Sequence, residues 1–170
     1  MLIVFRGLPG TGKTHLVEKL RERRADLLVL SRDRIRATVF SHPTFADDEK
    51  VLVDDLILSM ARFLMGRGCS VVIDGMALSS AARLEDFANA AGSQRTSFCI
   101  IECVCSEATA LSRISADAGS HPAGDRAPEL YYRTRDRYES TDLPFLRVDT
   151  DGDAEENVSA VVGYIENPPV

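Results

Sequence analysis

The eight-residue stretch GLPGTGKT, at positions 7–14, constrains the fold of this chain more than any other feature. It matches the phosphate-loop pattern G-x-x-x-x-G-K-[ST] at every fixed position, and it lies between an apolar run at residues 2–5 and a helix-competent run at residues 15–20. Glycines in such a loop let consecutive backbone N–H groups wrap an anion, and the helix that opens at Lys13 directs its positive dipole end toward the same point. The sequence therefore predicts a nucleotide-binding loop between a buried strand and a helix.

The residue types in this loop predict its contacts with a nucleoside triphosphate. Lys13 supplies a positive charge for the outer phosphates, and the hydroxyl of Thr14 is a ligand for Mg²⁺. ATP and Mg²⁺ are therefore the expected cofactors. The predicted nucleotide-binding residues are Gly7, Leu8, Pro9, Gly10, Thr11, Gly12, Lys13, Thr14 and His15.

Apolar runs alternate with amphipathic runs along the rest of the chain. The apolar runs predict strands at about residues 2–6, 27–30, 69–74, 96–104 and 145–148. Helical periodicity predicts helices at about residues 13–24, 31–40, 46–65, 79–91, 106–117, 129–139 and 155–166. Strands that alternate with helices indicate an α/β fold of three layers, in which helices cover both faces of a parallel sheet. We expect one domain that spans residues 1–170.

Composition limits the partners of the chain. Its 170 residues carry a formal net charge of −6, which argues against a long electrostatic footprint on nucleic acid but leaves room for a local basic site. The sequence starts directly in the first predicted strand, and no apolar run approaches the ~18 residues of a membrane span. We therefore expect a cytoplasmic protein without a membrane partner, and the oligomeric state stays open.

Two aspartates follow predicted strands at the edge where parallel sheets bind ligands. Asp74 ends the apolar run VVID, where a carboxylate is placed to hold Mg²⁺ through water beside Thr14; the alternative is an aspartate that starts the turn at Gly75. Asp33 follows its strand by two or three residues, roughly 7–10 Å beyond the strand tip. A carboxylate there is suited to accept the proton of an attacking hydroxyl, and the alternative is a helix N-cap.

Arg36 is the nearest basic residue to Asp33 on the same predicted helix face. The two residues are three positions apart, which is close to one helical turn. Arg36 is therefore predicted to orient Asp33 or to bind an anionic group on the acceptor. Asp33 and Arg36 together form the predicted acceptor-binding pair.

A segment rich in glycine and proline predicts a mobile lid at about residues 113–128. Arg113 leads into this segment and Arg126 lies inside it, so both are predicted to swing over the γ-phosphate and offset the charge that develops there. Arg133 and Arg137, which are i and i+4 on the next predicted helix, are further candidates for the same role.

The segments GLPGTGKT, SRDRIR at 31–36 and VVIDG at 71–75, with a lid that opens at Arg113, resemble those of the P-loop kinase group. The chain is most similar to the phage-type 5′-hydroxyl polynucleotide kinases and to related small kinases described as AAA-type ATP-binding proteins. The zeta-toxin, chloramphenicol phosphotransferase, seryl-tRNA kinase and adenylylsulfate kinase families share this layout. The resemblance covers nearly the whole chain and implies a five-stranded parallel sheet in the order 2-3-1-4-5. It also implies that the loop after the last strand, near Thr150, packs against the adenine of ATP.

The same resemblance assigns roles to individual residues of this chain. The chain departs from the polynucleotide kinase pattern at Asp117, where a second lid arginine is expected. Either Arg126 takes over that role or the lid works with fewer charges. The resemblance implies Lys13 on the β- and γ-phosphates, Thr14 on Mg²⁺, Asp33 as general base, Arg36 near the acceptor and Arg113 as the first lid arginine.

The predicted activity is ATP- and Mg²⁺-dependent transfer of a γ-phosphoryl group to an acceptor hydroxyl. The arginine-rich run 21–36 favours the 5′-hydroxyl of RNA or DNA as acceptor, whereas the overall acidity favours a small alcohol such as a nucleoside, sugar or antibiotic. We expect a nucleic-acid or nucleotide-like acceptor. A GTPase switch would need an [NT]-K-x-D element, which the sequence lacks, and a motor or remodelling ATPase usually needs a second domain.

Overall fold

The computed structural model describes residues 1–117 and 127–168, which are built around a parallel sheet. Its strands are β1 (Leu2–Arg6), β2 (Leu28–Ser31), β3 (Val71–Asp74), β4 (Phe98–Val104) and β5 (Phe145–Asp149). They pair in the order β2-β3-β1-β4-β5, and every pair is parallel. The predicted strand order is confirmed. The strand β1 is buried along its whole length because helices cover both faces of the sheet.

Helices lie on both faces of this sheet, as the alternating pattern predicts. The helices are α1 (Lys13–Arg23), α2 (Arg32–Val39), α3 (Asp47–Gly66), α4 (Ala81–Ser93), α5 (Glu107–Ala116), α6 (Pro128–Arg135) and α7 (Ala154–Glu166). Alternate residues of β1 enter opposite cores: Leu2 and Val4 pack with α3 and α4, whereas Ile3 and Phe5 pack with α1 and α7. The predicted three-layer α/β fold is therefore confirmed.

The largest difference from the predicted boundaries lies at the end of α6. The sequence predicts a helix to Glu139, but α6 ends at Arg135. The backbone N–H of Glu139 donates to the carbonyl oxygen of Ser79 at 2.8 Å, so this segment leaves the helix to bind the loop after β3. Helical periodicity cannot show that a tertiary hydrogen bond competes with the last helical turn.

None of the helices in the described ranges is both long enough and apolar enough to cross a membrane.

Candidate active site

A cleft of about 750 Å³ lies at the carboxyl ends of the strands. The loops that follow β1, β2, β3 and β5 contribute to its walls, together with residues of α5 and α6. Ligands of open parallel sheets bind at this edge because each strand there delivers a loop to a common crevice. This cleft is therefore the candidate ligand site of the chain.

The phosphate loop forms one wall of the cleft. Gly10 and Gly12 have φ angles of 80° and 75°, in the left-handed region that glycine adopts without strain. A β-carbon on Gly10 would lie 2.4 Å from the carbonyl oxygen of Ala110, so α5 packs too closely on the loop for any side chain there. The Nζ atom of Lys13 donates to the carbonyl oxygens of Gly7 and Leu8, at 2.8 Å each.

The predicted nucleotide-binding residues divide between two sides of this loop. Gly7, Leu8 and Thr11 line a smaller cavity of about 360 Å³, and the Thr11 hydroxyl donates to the Leu8 carbonyl oxygen at 2.8 Å. These three residues therefore face the smaller cavity, and the Thr11 hydroxyl supports the shape of the loop from that side. The other six line the cleft: Pro9, Gly10, Gly12, Lys13, Thr14 and His15.

Thr14 and Asp74 meet at the base of the phosphate loop. The Thr14 hydroxyl donates to Asp74 Oδ1 at 3.1 Å, which joins the start of α1 to the end of β3. Burial is the main cause that raises the pKa of Asp74, which is only 3% exposed. A hydroxyl and a carboxylate are the hard oxygen donors that Mg²⁺ takes from proteins when phosphates and water complete its shell. This pair therefore fits the predicted magnesium site.

Asp33 lies nearer to the end of β3 than the sequence suggests. The strand β2 continues to Ser31 and α2 begins at Arg32, so the chain turns back at once instead of extending outward. A β-carbon on Gly75 would lie 3.4 Å from Asp33 Oδ2, and the negative charge of Asp33 adds to the causes that raise the pKa of Asp74. The two carboxylates therefore lie at neighbouring strand ends.

The alternative role of Asp33 as a helix N-cap is wrong. The N-cap position of α2 belongs to Ser31, and Asp33 is in the first turn of the helix. A carboxylate in that turn is favoured by the helix dipole, but its side chain is not needed to cap the helix. Asp33 lines the cleft instead.

Arg36 lines the same part of the cleft as Asp33. Its Nη1 atom lies 3.4 Å from Asp33 Oδ1, a long contact that leaves much of the guanidinium's capacity for other partners. Its guanidinium carbon lies 5.0 Å from the centroid of the Phe45 ring, which also lines the cleft. Sequence reasoning missed Phe45, because nothing in the segment SHPTF marks an aromatic residue as part of a site.

Arg113 contacts the phosphate loop and the loop after β5. Its guanidinium donates to Thr150 Oγ1 at 3.0 Å, to the Thr150 carbonyl oxygen at 2.9 Å and to the Gly10 carbonyl oxygen at 3.4 Å. Thr150, Gly152 and other residues after β5 line the cleft, at the place where the resemblance implies the adenine. Arg126 lies outside the described residues, as does most of the predicted lid.

The helix α6 presents one face to the cleft. Leu130, Arg133, Thr134 and Arg137 line it, with the spacing of one helical face continued past the last turn. Lys50, near the start of α3, lines the same cleft and forms an ion pair with Asp47 at 3.0 Å. The basic side chains of α3 and α6 therefore contribute to a common cavity.

A buried charge network under the phosphate loop was also missed. Arg6 and Glu102 are paired in the register of β1 and β4, and they are 1% and 5% exposed. Tyr138 bridges them: its hydroxyl accepts from Arg6 Nε at 2.7 Å and donates to Glu102 Oε1 at 3.2 Å. Arg147 completes the network with an ion pair to Glu102 at 2.8 Å.

Tyr138 is held within this network as a neutral phenol. Burial, as the main cause, raises the pKa of Tyr138 to about 12. Two opposite charges that interrupt apolar strands, Arg6 in LIVFR and Glu102 in FCIIECV, were the available sequence signal. The network fixes the segment after α6 directly behind the residue that starts the phosphate loop.

Several solved structures have a fold similar to that of this chain, and some of them are described as kinases. One is described as a putative kinase from Chloroflexus aurantiacus J-10-fl, with 24% identity over 95% of this chain and 96% of the other, at a TM-score of 0.76. The APS kinase CysC of Mycobacterium tuberculosis, in complex with AMPPNP and APS, has 18% identity over 97% and 96%, at 0.74. Kti12 of Chaetomium thermophilum, in complex with ADP-AlF3, has 18% identity over 96% and 98%, also at 0.74. At these identities the likeness shows the fold, which is that of P-loop kinases.

No curated protein matches the chain. The family model described as an AAA domain matches residues 2–138, which include the phosphate loop, Asp33, Asp74 and Arg113. The match extends from β1 through α6 to Tyr138. The chain therefore belongs to the AAA domain family.

Proposed function

We propose that the chain is an ATP- and Mg²⁺-dependent kinase that transfers the γ-phosphoryl group to an acceptor hydroxyl. The observation that carries this proposal is the position of Asp33, whose carboxylate packs at Gly75 and lines the same cleft as the phosphate loop. The complexes of related folds with AMPPNP and with ADP-AlF3 support ATP as the donor.

The donor nucleotide is held by the phosphate loop and by the loop after β5. Backbone N–H groups of residues 10–14 bind the phosphates, and Lys13 moves from the loop carbonyls to the outer phosphate oxygens. Thr14 and Asp74 hold Mg²⁺, which offsets negative charge on the phosphates when bound. Arg113, anchored on Thr150, lies at the junction of the phosphate loop and the proposed adenine side.

The acceptor reacts on the opposite side of the cleft. Asp33 accepts the proton of the acceptor hydroxyl as its oxygen forms a bond to the γ-phosphorus. The bond between that phosphorus and the oxygen that bridges it to the β-phosphate breaks, and ADP leaves with the electron pair. Arg36 orients Asp33, and the basic side chains of α6 offset the charge on the transferred group.

The charge of the cleft supports an anionic, nucleotide-like acceptor. Among the residues that the structure describes, seven lysines and arginines line the cleft with only two carboxylates, Asp33 and Asp117, although acidic residues outnumber basic ones 26 to 20 in the whole chain. Arg32 is neutralised by an ion pair with Asp54 at 2.8 Å, and Lys13 serves the donor phosphates. The remaining basic side chains carry more positive charge than the donor phosphates need. An acceptor that carries a negative charge of its own is therefore favoured.

A small-molecule acceptor is the second candidate. The related fold of the APS kinase is described in complex with APS, and the net charge of −6 argues against a broad surface that would track a polynucleotide. A short 5′-hydroxyl end and a small anionic alcohol would make the same contacts within the cleft. The length of the acceptor therefore distinguishes these two candidates.

Transfer of label from [γ-³²P]ATP tests the proposal. The panel contains 5′-hydroxyl RNA and DNA oligonucleotides, nucleoside 3′-monophosphates, gluconate and uncharged sugars, each with Mg²⁺. We expect label on the anionic, nucleotide-like acceptors and little on uncharged sugars. Hydrolysis of ATP without label on any hydroxyl would instead indicate an ATPase or switch module.

A further inference from the structure

The loop before α3 has an unusual backbone. Phe45 has a φ of 60°, in the left-handed region that residues with a side chain rarely adopt. Only two other non-glycine residues of the described ranges have a positive φ, Leu78 and Arg95, and Leu78 lies between cleft residues Ala77 and Ser79. A β-carbon in this conformation has a cost that glycine would avoid, and it persists only where the surroundings enforce it.

The group that enforces this conformation is the carboxylate of Glu49. Its oxygens accept hydrogen bonds from the backbone N–H groups of Thr44 and Phe45, at 2.7 Å each, and from the Thr44 hydroxyl at 3.2 Å. Glu49 is 7% exposed, and these bonds, led by that of Thr44, hold its pKa below the ordinary value. Glu49 is the third residue of α3, and by bonding back to the N–H groups before the helix it fixes the conformation of Phe45.

This conformation presents an aromatic ring on the acceptor side of the cleft. Phe45 lines the cleft with Asp33 and Arg36, and the guanidinium of Arg36 stacks near the ring. Arg36 is 4% exposed, and its Nε atom has no hydrogen-bond partner in the part of the chain that the structure describes. An aromatic ring beside a planar cation complements the face of a flat π system.

The adenine of ATP does not account for this ring. The proposed adenine side follows β5, whereas Phe45 follows β2 and α2. These two strands form opposite edges of the sheet, and the phosphate loop after β1 lies between them. Phe45 therefore belongs with the acceptor and its proposed base, Asp33.

We propose that Phe45 is a specificity-determining residue that stacks against a flat ring of the acceptor. The acceptor is then a nucleoside-like molecule, in which a base is joined to the part that carries the reacting hydroxyl. This inference rests on the proposed function and narrows its acceptor class, because an open-chain alcohol offers no ring face to Phe45. The left-handed backbone that Glu49 holds presents the ring to the cleft that Asp33 also lines.

Two probes that differ only in the base test this inference. Thymidine 3′-monophosphate and 1,2-dideoxyribose 3-phosphate both carry a 5′-hydroxyl and a phosphate, but the second has no base. With Mg·ATP saturating, we expect Phe45→Ala to raise the KM for thymidine 3′-monophosphate on the order of tenfold, the effect of one lost base stack. The KM for the probe without a base should stay unchanged.

Three further variants control for altered packing. Phe45→Trp should retain the low KM, whereas Phe45→Leu, which keeps apolar bulk but has no π face, should behave like Phe45→Ala. Phe63→Ala removes an aromatic ring of α3 that is 65% exposed and outside the cleft, and it should change neither KM. Equal changes for both probes, or a Phe45→Leu variant with the wild-type KM, would overturn the inference.

A binding measurement separates this inference from the proposed function. Thymidine 3′-monophosphate is titrated calorimetrically into protein saturated with Mg·AMPPNP, so no turnover is needed. Weaker binding to Phe45→Ala, without phosphoryl transfer by the wild type, would refute the kinase but support the stacking role. Transfer to the probes with equal binding to both proteins, or no binding of thymidine 3′-monophosphate to the wild type, would overturn the stacking role.

Discussion

The proposed donor and acceptor halves of the cleft are built by different means. The proposed donor half is largely one continuous stretch of backbone, residues 7–14, where glycines set the conformation and N–H groups are expected to contact the phosphates. The proposed acceptor half is assembled from side chains on separate elements: Asp33 and Arg36 come from α2, and Phe45 comes from the loop before α3. The first half therefore depends on local sequence, and the second depends on how separate elements pack.

This difference predicts opposite sensitivities to substitution. A backbone site fails when a side chain is added, because its N–H groups can no longer approach the ligand. A side-chain site fails when a functional group is removed, while the backbone around it stays intact. Substitutions that add or remove atoms in each half can therefore test whether the two halves are distinct.

The largest effect is expected from Asp33→Asn in the acceptor half. An amide cannot accept the proton of the hydroxyl, so kcat should fall by about 10²–10⁴-fold. The Kd for ATP should stay nearly unchanged, because Asp33 is not part of the phosphate loop. Single-turnover transfer and equilibrium binding of an ATP analogue measure the two quantities.

The matched control for Asp33→Asn is Asp55→Asn, at a carboxylate of α3 that is 63% exposed. It removes the same charge outside the cleft and should leave kcat unchanged. Full turnover by Asp33→Asn would show that another group accepts the proton.

In the donor half, Gly10→Ala should damage both binding and folding. The added β-carbon meets the Ala110 carbonyl oxygen at 2.4 Å, so the loop or α5 must shift. We expect a loss of about 1–3 kcal/mol in the free energy of unfolding, as for overpacked cores, and a Kd for ATP raised at least tenfold. Urea denaturation and nucleotide titration measure these changes.

Gly68→Ala is the control that separates the cost of the left-handed backbone conformation from the cost of a steric clash. Gly68 has the same φ of 80° as Gly10, but a β-carbon there meets nothing within 4 Å. Its cost should be limited to the backbone conformation, about 1–2 kcal/mol, without an effect on ATP binding. Equal effects of the two substitutions on ATP affinity would show that α5 does not restrict the phosphate loop.

Asp74→Asn tests the proposed magnesium site at the base of the phosphate loop, through the pH dependence of protein stability. Burial raises the pKa of Asp74, so the folded state binds this proton more tightly than the unfolded state does. The stabilisation is present at low pH and is lost as pH rises through the raised pKa, so ionised Asp74 destabilises the metal-free protein at neutral pH. Asp74→Asn should therefore raise the Tm without metal and remove the rise in Tm that Mg·ATP causes.

Thermal melts at pH 5 and pH 8 check this prediction. The difference in Tm between variant and wild type should shrink toward the lower pH, as Asp74 becomes protonated. A wild-type response to Mg·ATP that survives in Asp74→Asn would exclude this carboxylate as a necessary part of the magnesium site.

The smallest effect is expected from Tyr138→Phe, in the charge network under the phosphate loop. The variant removes the hydroxyl between Arg6 and Glu102 but keeps the ring that lies 4.4 Å from the Arg6 guanidinium. We expect a loss of about 1–2 kcal/mol in the free energy of unfolding, because two buried charged groups each lose a partner. The Kd for ATP should change little, since both groups keep other contacts.

Tyr132→Phe provides the comparison for Tyr138→Phe in urea denaturation. The hydroxyl of Tyr132 donates to Glu107 at 3.1 Å, but the residue is 37% exposed and water can replace the bond. Its free energy of unfolding should stay within about 0.5 kcal/mol of the wild type. Equal losses of the free energy of unfolding in the two variants would show that the hydroxyl of Tyr138 contributes no more to stability than an exposed hydroxyl does.

Much of the fold was predictable because its signals are local. Alternating strand and helix patterns require only the residues of each segment, and they gave the strands, the helices and the fold class. The end of α6 was not predictable in this way, because Glu139 binds Ser79, some sixty residues away along the chain. The closeness of Asp33 to Gly75 was not predictable either, because it depends on the pairing of β2 with β3.

The sequence by itself determined the phosphate loop, since a contiguous motif brings its own glycines, its cation and its helix. Only the tertiary structure decided the proposed acceptor side, because packing of α2 against α3 brings Asp33 and Arg36 into the same cleft as Phe45, whose left-handed backbone is held locally by Glu49. Backbone contacts within a loop are encoded over a few residues. Side-chain contacts between elements have no fixed spacing along the chain, and so no motif records them.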